Sequence, residues 1–290
     1  MARVKQSHLA GTWYPGDAGL LRQQIDTWLQ QARADAAVAG RLTGLIVPHA
    51  GYQYSGRAAA AGYACLRAEA YARVVILAPS HHAAFHGVAL LDVEAFATPL
   101  GQIDVDRDAL AALAQTSLCV ERPEAYREEH SLEIQLPFLQ RALPGARVVP
   151  TLLGHLDPDD YAAVAAALVR LADDQTLFVV SSDFVHYGWR FGYRPFPAEG
   201  PEQVAAALRA LDMGAIERVC AGDATGFADY VERTGATICG RTPITVFLTL
   251  HRRHSPGTLL SYYTSLDVTG DYEHSVSYAS IAFPGEEREA

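Results

Sequence analysis

The stretch "VVILAPSHHAAFHG" (residues 74–87) decides how this chain is read. An apolar run, Val74 to Ala78, empties into Pro79-Ser80 and then into His81, His82 and His86. A short continuous apolar run bounded by a turn signal is the pattern of a strand buried on both faces, as in a parallel sheet covered by helices. In open sheets of that kind, ligands sit beyond the carboxyl ends of the strands. A core strand that ends on imidazoles therefore marks either a turn that happens to hold histidines or a site.

Similar runs recur on both sides of it. "LTGLIV" (42–47), "RVVPTLL" (147–153) and "LFVVSS" (177–182) have the same character, and "VALLDV" (88–93) is a shorter relative. Helical spacing separates them: residues 17–34, 55–69, 107–116, 201–219 and 223–234, a helix capped by Asp157-Pro158, and one opened by Thr242-Pro243 that reaches about 253. Near the end, "LLSYYTSL" (259–266) and "VSYASIAF" (276–283) alternate and read as an antiparallel pair. The expected fold is α/β: one layered domain over 1–290 with a mixed, mostly parallel central sheet flanked by helices. An N-terminal arm (about 1–16) and a short tail (about 285–290) lie outside the layers.

Half of the 290 residues are apolar and 19% are charged, a globular balance. The net charge of −10 argues against nucleic acid and anionic membrane as partners, since phosphate contacts need a basic patch. Lys5 is the only lysine, which removes Schiff-base chemistry and a phosphate-loop lysine from consideration. Cys65, Cys119, Cys220 and Cys239 are far apart, with no apolar leader before them, and read as reduced thiols of a cytoplasmic protein. The G-x-S-x-G, G-x-x-x-x-G-K, G-x-G-x-x-G and H-E-x-x-H patterns are all missing, so serine hydrolases, kinases and dinucleotide-linked dehydrogenases have no motif support.

Three of the apolar runs end in reactive residues. His49 follows Val47 in "GLIVPHAGYQYSG", His81 and His82 follow Ala78, and Asp183 and His186 follow "LFVVSS". If residues 183–186 turn helically, Asp183 shares a face with His186 and can orient its imidazole. Cys239, in "TGATICGRTPITVF", precedes a helix start, whose dipole together with Arg241 would lower a thiol's pKa. In "EEHSLEIQLPFL", His130 and Glu133 open a helix as second-layer or solvated groups, and His86 reads as loop. Two imidazoles plus one thiolate or carboxylate make an open metal site suited to iron, copper or zinc.

Seven motifs, "SHLAGTWYPGD", "VPHAGYQYSG", "APSHH", "EHSLEIQLPFL", "SSDFVHYGWRFGY", "TICGRTPI" and "SVSYAS", span residues 7–280 and together resemble the Memo family, whose microbial members are also called AmmeMemoRadiSam system protein B. The resemblance implies a fold similar to class III extradiol dioxygenases, non-haem iron enzymes that cleave catechol rings. It implies His49, His81 and Cys239 as metal ligands, with cysteine where the dioxygenases have glutamate. His186 then matches the dioxygenase base and Asp183 lines the same pocket. Independently of the resemblance, His82, His130 and Glu133 are expected in the pocket or directly behind the ligands. Iron is the implied metal, with copper and zinc as alternatives. The leading expectation is a metal-dependent oxidoreductase acting on a small molecule. The alternatives are a binding or scaffold protein that takes a peptide or small ligand in the retained pocket, and a hydrolase with Cys239 as nucleophile and His186 as base. Radical-SAM and AMMECR-type partners are suggested by family association alone.

Overall fold

Burial of the central strands on both faces organises the molecule. The computed structural model describes residues 3–33, 38, 40–197, 200–251 and 255–285. In chain order the elements are β1 (Val4–Lys5), α1 (Ala18–Arg33), β2 (Leu42–Val47), α2 (Tyr52–Tyr63), β3 (Arg73–Pro79), β4 (Val88–Leu90), β5 (Ala95–Thr98), β6 (Gly101–Asp104), α3 (Arg107–Leu113), β7 (Cys119–Glu121), α4 (His130–Glu133), α5 (Leu136–Ala142), β8 (Arg147–Leu153), α6 (Asp160–Val169), β9 (Thr176–Ser181), β10 (His186–Gly188), α7 (Pro201–Cys220), α8 (Ala224–Thr234), α9 (Arg241–Leu250), β11 (Thr258–Thr264), α10 (Ser265–Thr269) and β12 (His274–Pro284).

A nine-stranded sheet runs β10-β12-β2-β9-β3-β8-β4-β7, with β11 on the far flank of β12. Its centre, β2-β9-β3-β8, is parallel, whereas β12 joins β2 and β4 joins β8 antiparallel. The mixed sheet flanked by helices on both faces is thus present as expected, but it is parallel only at its centre and between β4 and β7; β10, β11 and β12 add antiparallel pairings, so parallel and antiparallel neighbours are equal in number. Side-chain parity places the helices. A Cβ on Gly44 would meet the Phe247 ring of α9 at 2.3 Å, while Val47, of opposite parity, meets Gly62 of α2. Gly44→Ala is therefore expected to destabilise the protein by about 1–3 kcal/mol through overpacking, read as a lowered urea midpoint.

Several boundaries differ from the sequence reading. The helix expected at Asp157-Pro158 starts at Asp160, because the Asp157 carbonyl accepts from Asp160 N and the Asp157 carboxylate is engaged by His155. The arm is not free chain: β1 pairs with β5, and β5 with β6, in a small second sheet. Most of the expected tail, and the helix end at Ala34, lie outside the described residues. Among the described residues, no helix is long and apolar enough to cross a membrane.

Candidate metal centre

Because β2, β3 and β9 are parallel neighbours, the residues after Val47, Pro79 and Ser181 emerge at one edge of the sheet. His49, His81 and Asp183 therefore meet there, with His186 from the start of β10. They line a cavity of about 660 Å³ whose walls include Trp13, Tyr54, His130, Arg190, Phe191 and Tyr278.

One nitrogen of each principal imidazole is occupied by an acceptor. The Ser181 hydroxyl donates to Ser131 O (2.6 Å) and accepts from Gln135 Nε2 (2.8 Å), so its contact with His49 Nδ1 (3.0 Å) is accepted from the ring. His49 thus carries its proton on Nδ1 and its lone pair on Nε2. His81 Nδ1 lies 2.8 Å from Glu129 Oε1, the carboxylate–histidine pairing that fixes the tautomer of metal ligands. Burial alone would raise the Glu129 carboxyl, but hydrogen bonds and charge from His81 and the Ser131 N–H bring it down to about 2. His186 Nδ1 faces two carbonyls, Phe184 O and Thr237 O, each at 3.0 Å, and must donate, which leaves Nε2 as a base.

Burial and neighbouring imidazoles disfavour protonation of His49, His130 and His186. Burial, then the neighbouring histidines His130, His81 and His186, holds the His49 pKa well below the usual imidazole range. Burial and His81 bring His130 down to about 4, and burial also lowers His186. Burial pushes Asp183 up to about 7 against the opposing N–H groups of His49 and Ala50, so it is poised near neutrality.

Beside the cavity, one donor atom from each of His49, His81 and His130 lies within 4.8 Å of the others. Their ring centroids are 5.2 Å (His49–His81), 5.3 Å (His49–His130) and 4.4 Å (His81–His130) apart. Cys239 is not in that set. Its sulfur touches His49 Nε2 at 3.0 Å and accepts from Asp183 N at 3.3 Å. The expected lowering of its pKa does not occur: burial, then the Asp183 charge, pushes the thiol up, against hydrogen bonds from Asp183, Ser182 and Gly240. Desolvation outweighs the helix start because the sulfur is removed from water.

Other residues also take different places. Asp183 does not orient His186, because the segment is extended rather than helical; its carboxylate accepts from His49 N at 2.8 Å instead. His82 is exposed, its ring 6.1 Å from that of His130. Glu133 faces away from the cavity and grips the N-terminal segment. His86, read as loop, forms an isolated bridge with His155. Glu129, Ser181 and Thr237 were not anticipated. Glu129 stands next to His130 in the quoted motif, and a carboxylate just before a one-turn helix is a visible capping signal. Ser181 and Thr237 carry no comparable mark.

A model of the family described as Memo-like protein matches residues 5–282. The chain belongs to this family. It is similar to Protein memo-1 homolog of Caenorhabditis elegans, at 33% identity over 93% of this chain and 80% of that protein. It is also similar to Protein MEMO1 of Homo sapiens (31%, 96% of each chain) and to a MEMO1 family protein of Methanothermobacter thermautotrophicus (30%, 96% of this chain and all of that one).

Proposed function

We propose that this Memo family member binds a non-haem metal ion through His49 and His81 and acts as a metal-dependent oxidoreductase on a small molecule held in the cavity. Cys239 and His130 are the competing third donors, and iron is the proposed ion, with copper or zinc as alternatives. One observation carries this reading: donor nitrogens of His49, His81 and His130 converge within 4.8 Å beside a cavity of substrate size, with the other ring nitrogens of His49 and His81 held by fixed acceptors. When bound, such an ion supplies Lewis-acid and redox chemistry. The protein's own part is to bind and orient the substrate against Trp13, Tyr54 and Phe191. His186 Nε2 accepts a proton, and Asp183 holds one near neutral pH. A likeness to extradiol dioxygenases and a cytoplasmic location belong to the same proposal, as do the radical-SAM and AMMECR-type partners.

A binding role without turnover is the second reading, favoured by Arg190 and Phe191 together on the cavity wall, a pair suited to an anionic or aromatic ligand. The hydrolase reading loses support, since Cys239 is held as a thiol and is absent from the cavity walls. Elemental analysis of tag-free, anaerobically purified protein tests the proposal. Near-stoichiometric iron or copper is expected, falling at least tenfold in His49→Ala, and the third donor is whichever of Cys239→Ser and His130→Ala causes a comparable loss. Full metal content in His49→Ala would overturn the ligand assignment. No metal even after reconstitution would favour the binding role.

A further inference from the structure

The loop that carries His81 ends in a second group of metal-ligating side chains, remote in sequence from the other cavity histidines. Residues 80–87 leave β3 and return to β8 through an isolated parallel bridge between His86 and His155. Three backbone hydrogen bonds lock that bridge: Gly87 N to His155 O (3.0 Å), His155 N to Phe85 O (2.9 Å) and Gly154 N to Gly87 O (3.0 Å). Position 154 must be glycine, since a Cβ there would lie 2.2 Å from Phe85 O. The result is two imidazoles side by side, with ring centroids 6.2 Å apart, facing the start of α6.

Two carboxylates meet them. His86 Nε2 lies 2.7 Å from Asp160 Oδ2 and 3.7 Å from Asp157 Oδ2, and His155 Nε2 lies 3.2 Å from Asp157 Oδ1. Asp160 Oδ2 also accepts from Asp157 N at 2.9 Å, which holds both side chains in place. One donor atom each from His86, Asp157 and Asp160 falls within 4.8 Å of the others. Among the described residues, no arginine or lysine pairs with either carboxylate; their ion-pair partners are these two histidines. The group therefore places two carboxylates beside imidazole nitrogens with no guanidinium or ammonium among them.

We propose that His86, Asp157 and Asp160 form a second cation site, specific for a borderline divalent ion of the zinc class, with His155 positioning Asp157 through its other oxygen. The imidazole selects against magnesium and calcium, which take all-oxygen shells. The carboxylates neutralise the ion, and solvent exposure leaves room for water to complete the shell. Because the donors come from the 80–87 loop and from the segment entering α6, an ion here reinforces the bridge that already anchors the end of the loop that bears His81.

Zinc titration of tag-free His49→Ala/His81→Ala protein, read by competition with a chromogenic chelator, isolates this site from the cavity. One zinc equivalent is expected, with affinity falling at least tenfold when His86→Ala or Asp160→Asn is added, and with no competition from millimolar magnesium. Hydrogen exchange of amides in 81–87 should slow on zinc addition and should not in the His86→Ala background. Should the double variant fail to fold, the otherwise unaltered chain serves: His86→Ala must lower its zinc stoichiometry by one. Absence of zinc binding outside the cavity, or binding undiminished by His86→Ala, overturns the site.

Discussion

Glu129→Gln is expected to lower metal affinity about 10–100-fold and to cost about 1–3 kcal/mol of stability. All of the carboxylate's close contacts are donors: Oε1 accepts from His81 Nδ1 (2.8 Å) and Ser131 N (3.0 Å), and Oε2 accepts from His81 N. The amide of glutamine can satisfy only one side of that arrangement. Its NH₂ group then confronts a backbone N–H, His81 loses the anion that fixes its tautomer, and a donor group is orphaned. The melting temperature should fall by roughly 2–4 °C per kcal/mol for a chain of this size class. The acid limb should change as well. A carboxyl depressed from 4.5 to about 2 contributes stability that is fully present above pH 4.5 and is lost as pH falls toward 2, and the variant should lack that limb. Metal content measured beside a melt separates two roles. A lowered midpoint with unchanged metal would make Glu129 merely the cap of α4.

Glu133→Ala should open the cavity from its other wall. This buried carboxylate accepts from Ser7 Oγ (2.7 Å), Tyr14 Oη (2.8 Å), Leu9 N (3.1 Å) and His8 N (3.2 Å), and His8 Nδ1 lies 2.6 Å from it. Its removal leaves those donors with no common acceptor, at a cost of about 3 kcal/mol. The segment it grips, Ser7 to Tyr14, includes Trp13, whose ring lies 4.5 Å from that of His130. Hydrogen exchange over residues 8–14 should accelerate, while the central strands β2, β3 and β9 stay protected. Tyr14→Phe, which removes one donor, should cost about 1 kcal/mol and leave the segment closed. If exchange were unchanged in Glu133→Ala, the apolar packing of Leu9 and Tyr14 would be what holds the wall.

Much of this was legible in one dimension. Continuous apolar runs identified β2, β3, β8 and β9, because strands covered on both faces have no polar side to show. The rule that ligands gather beyond the carboxyl ends of such strands then brought His49, His81, Asp183 and His186 to one edge. The partners of those residues were not legible. Glu129 and Glu133 sit four apart in one motif, and nothing local says that the first reaches His81, 48 residues away, while the second reaches Ser7, 126 away. The relation of Asp183 to His186 failed because three-residue spacing joins side chains only in a helix, and here the chain is extended. Cys239 was read from its helix start, but its ionisation is governed by removal from water, a property of everything packed around it. Runs and strand ends are set by neighbours along the chain, and so the linear order reveals them. Tautomers, thiol ionisation and the pairing of carboxylates with imidazoles depend on long-range contacts and burial, which exist only once the sheet has closed around them.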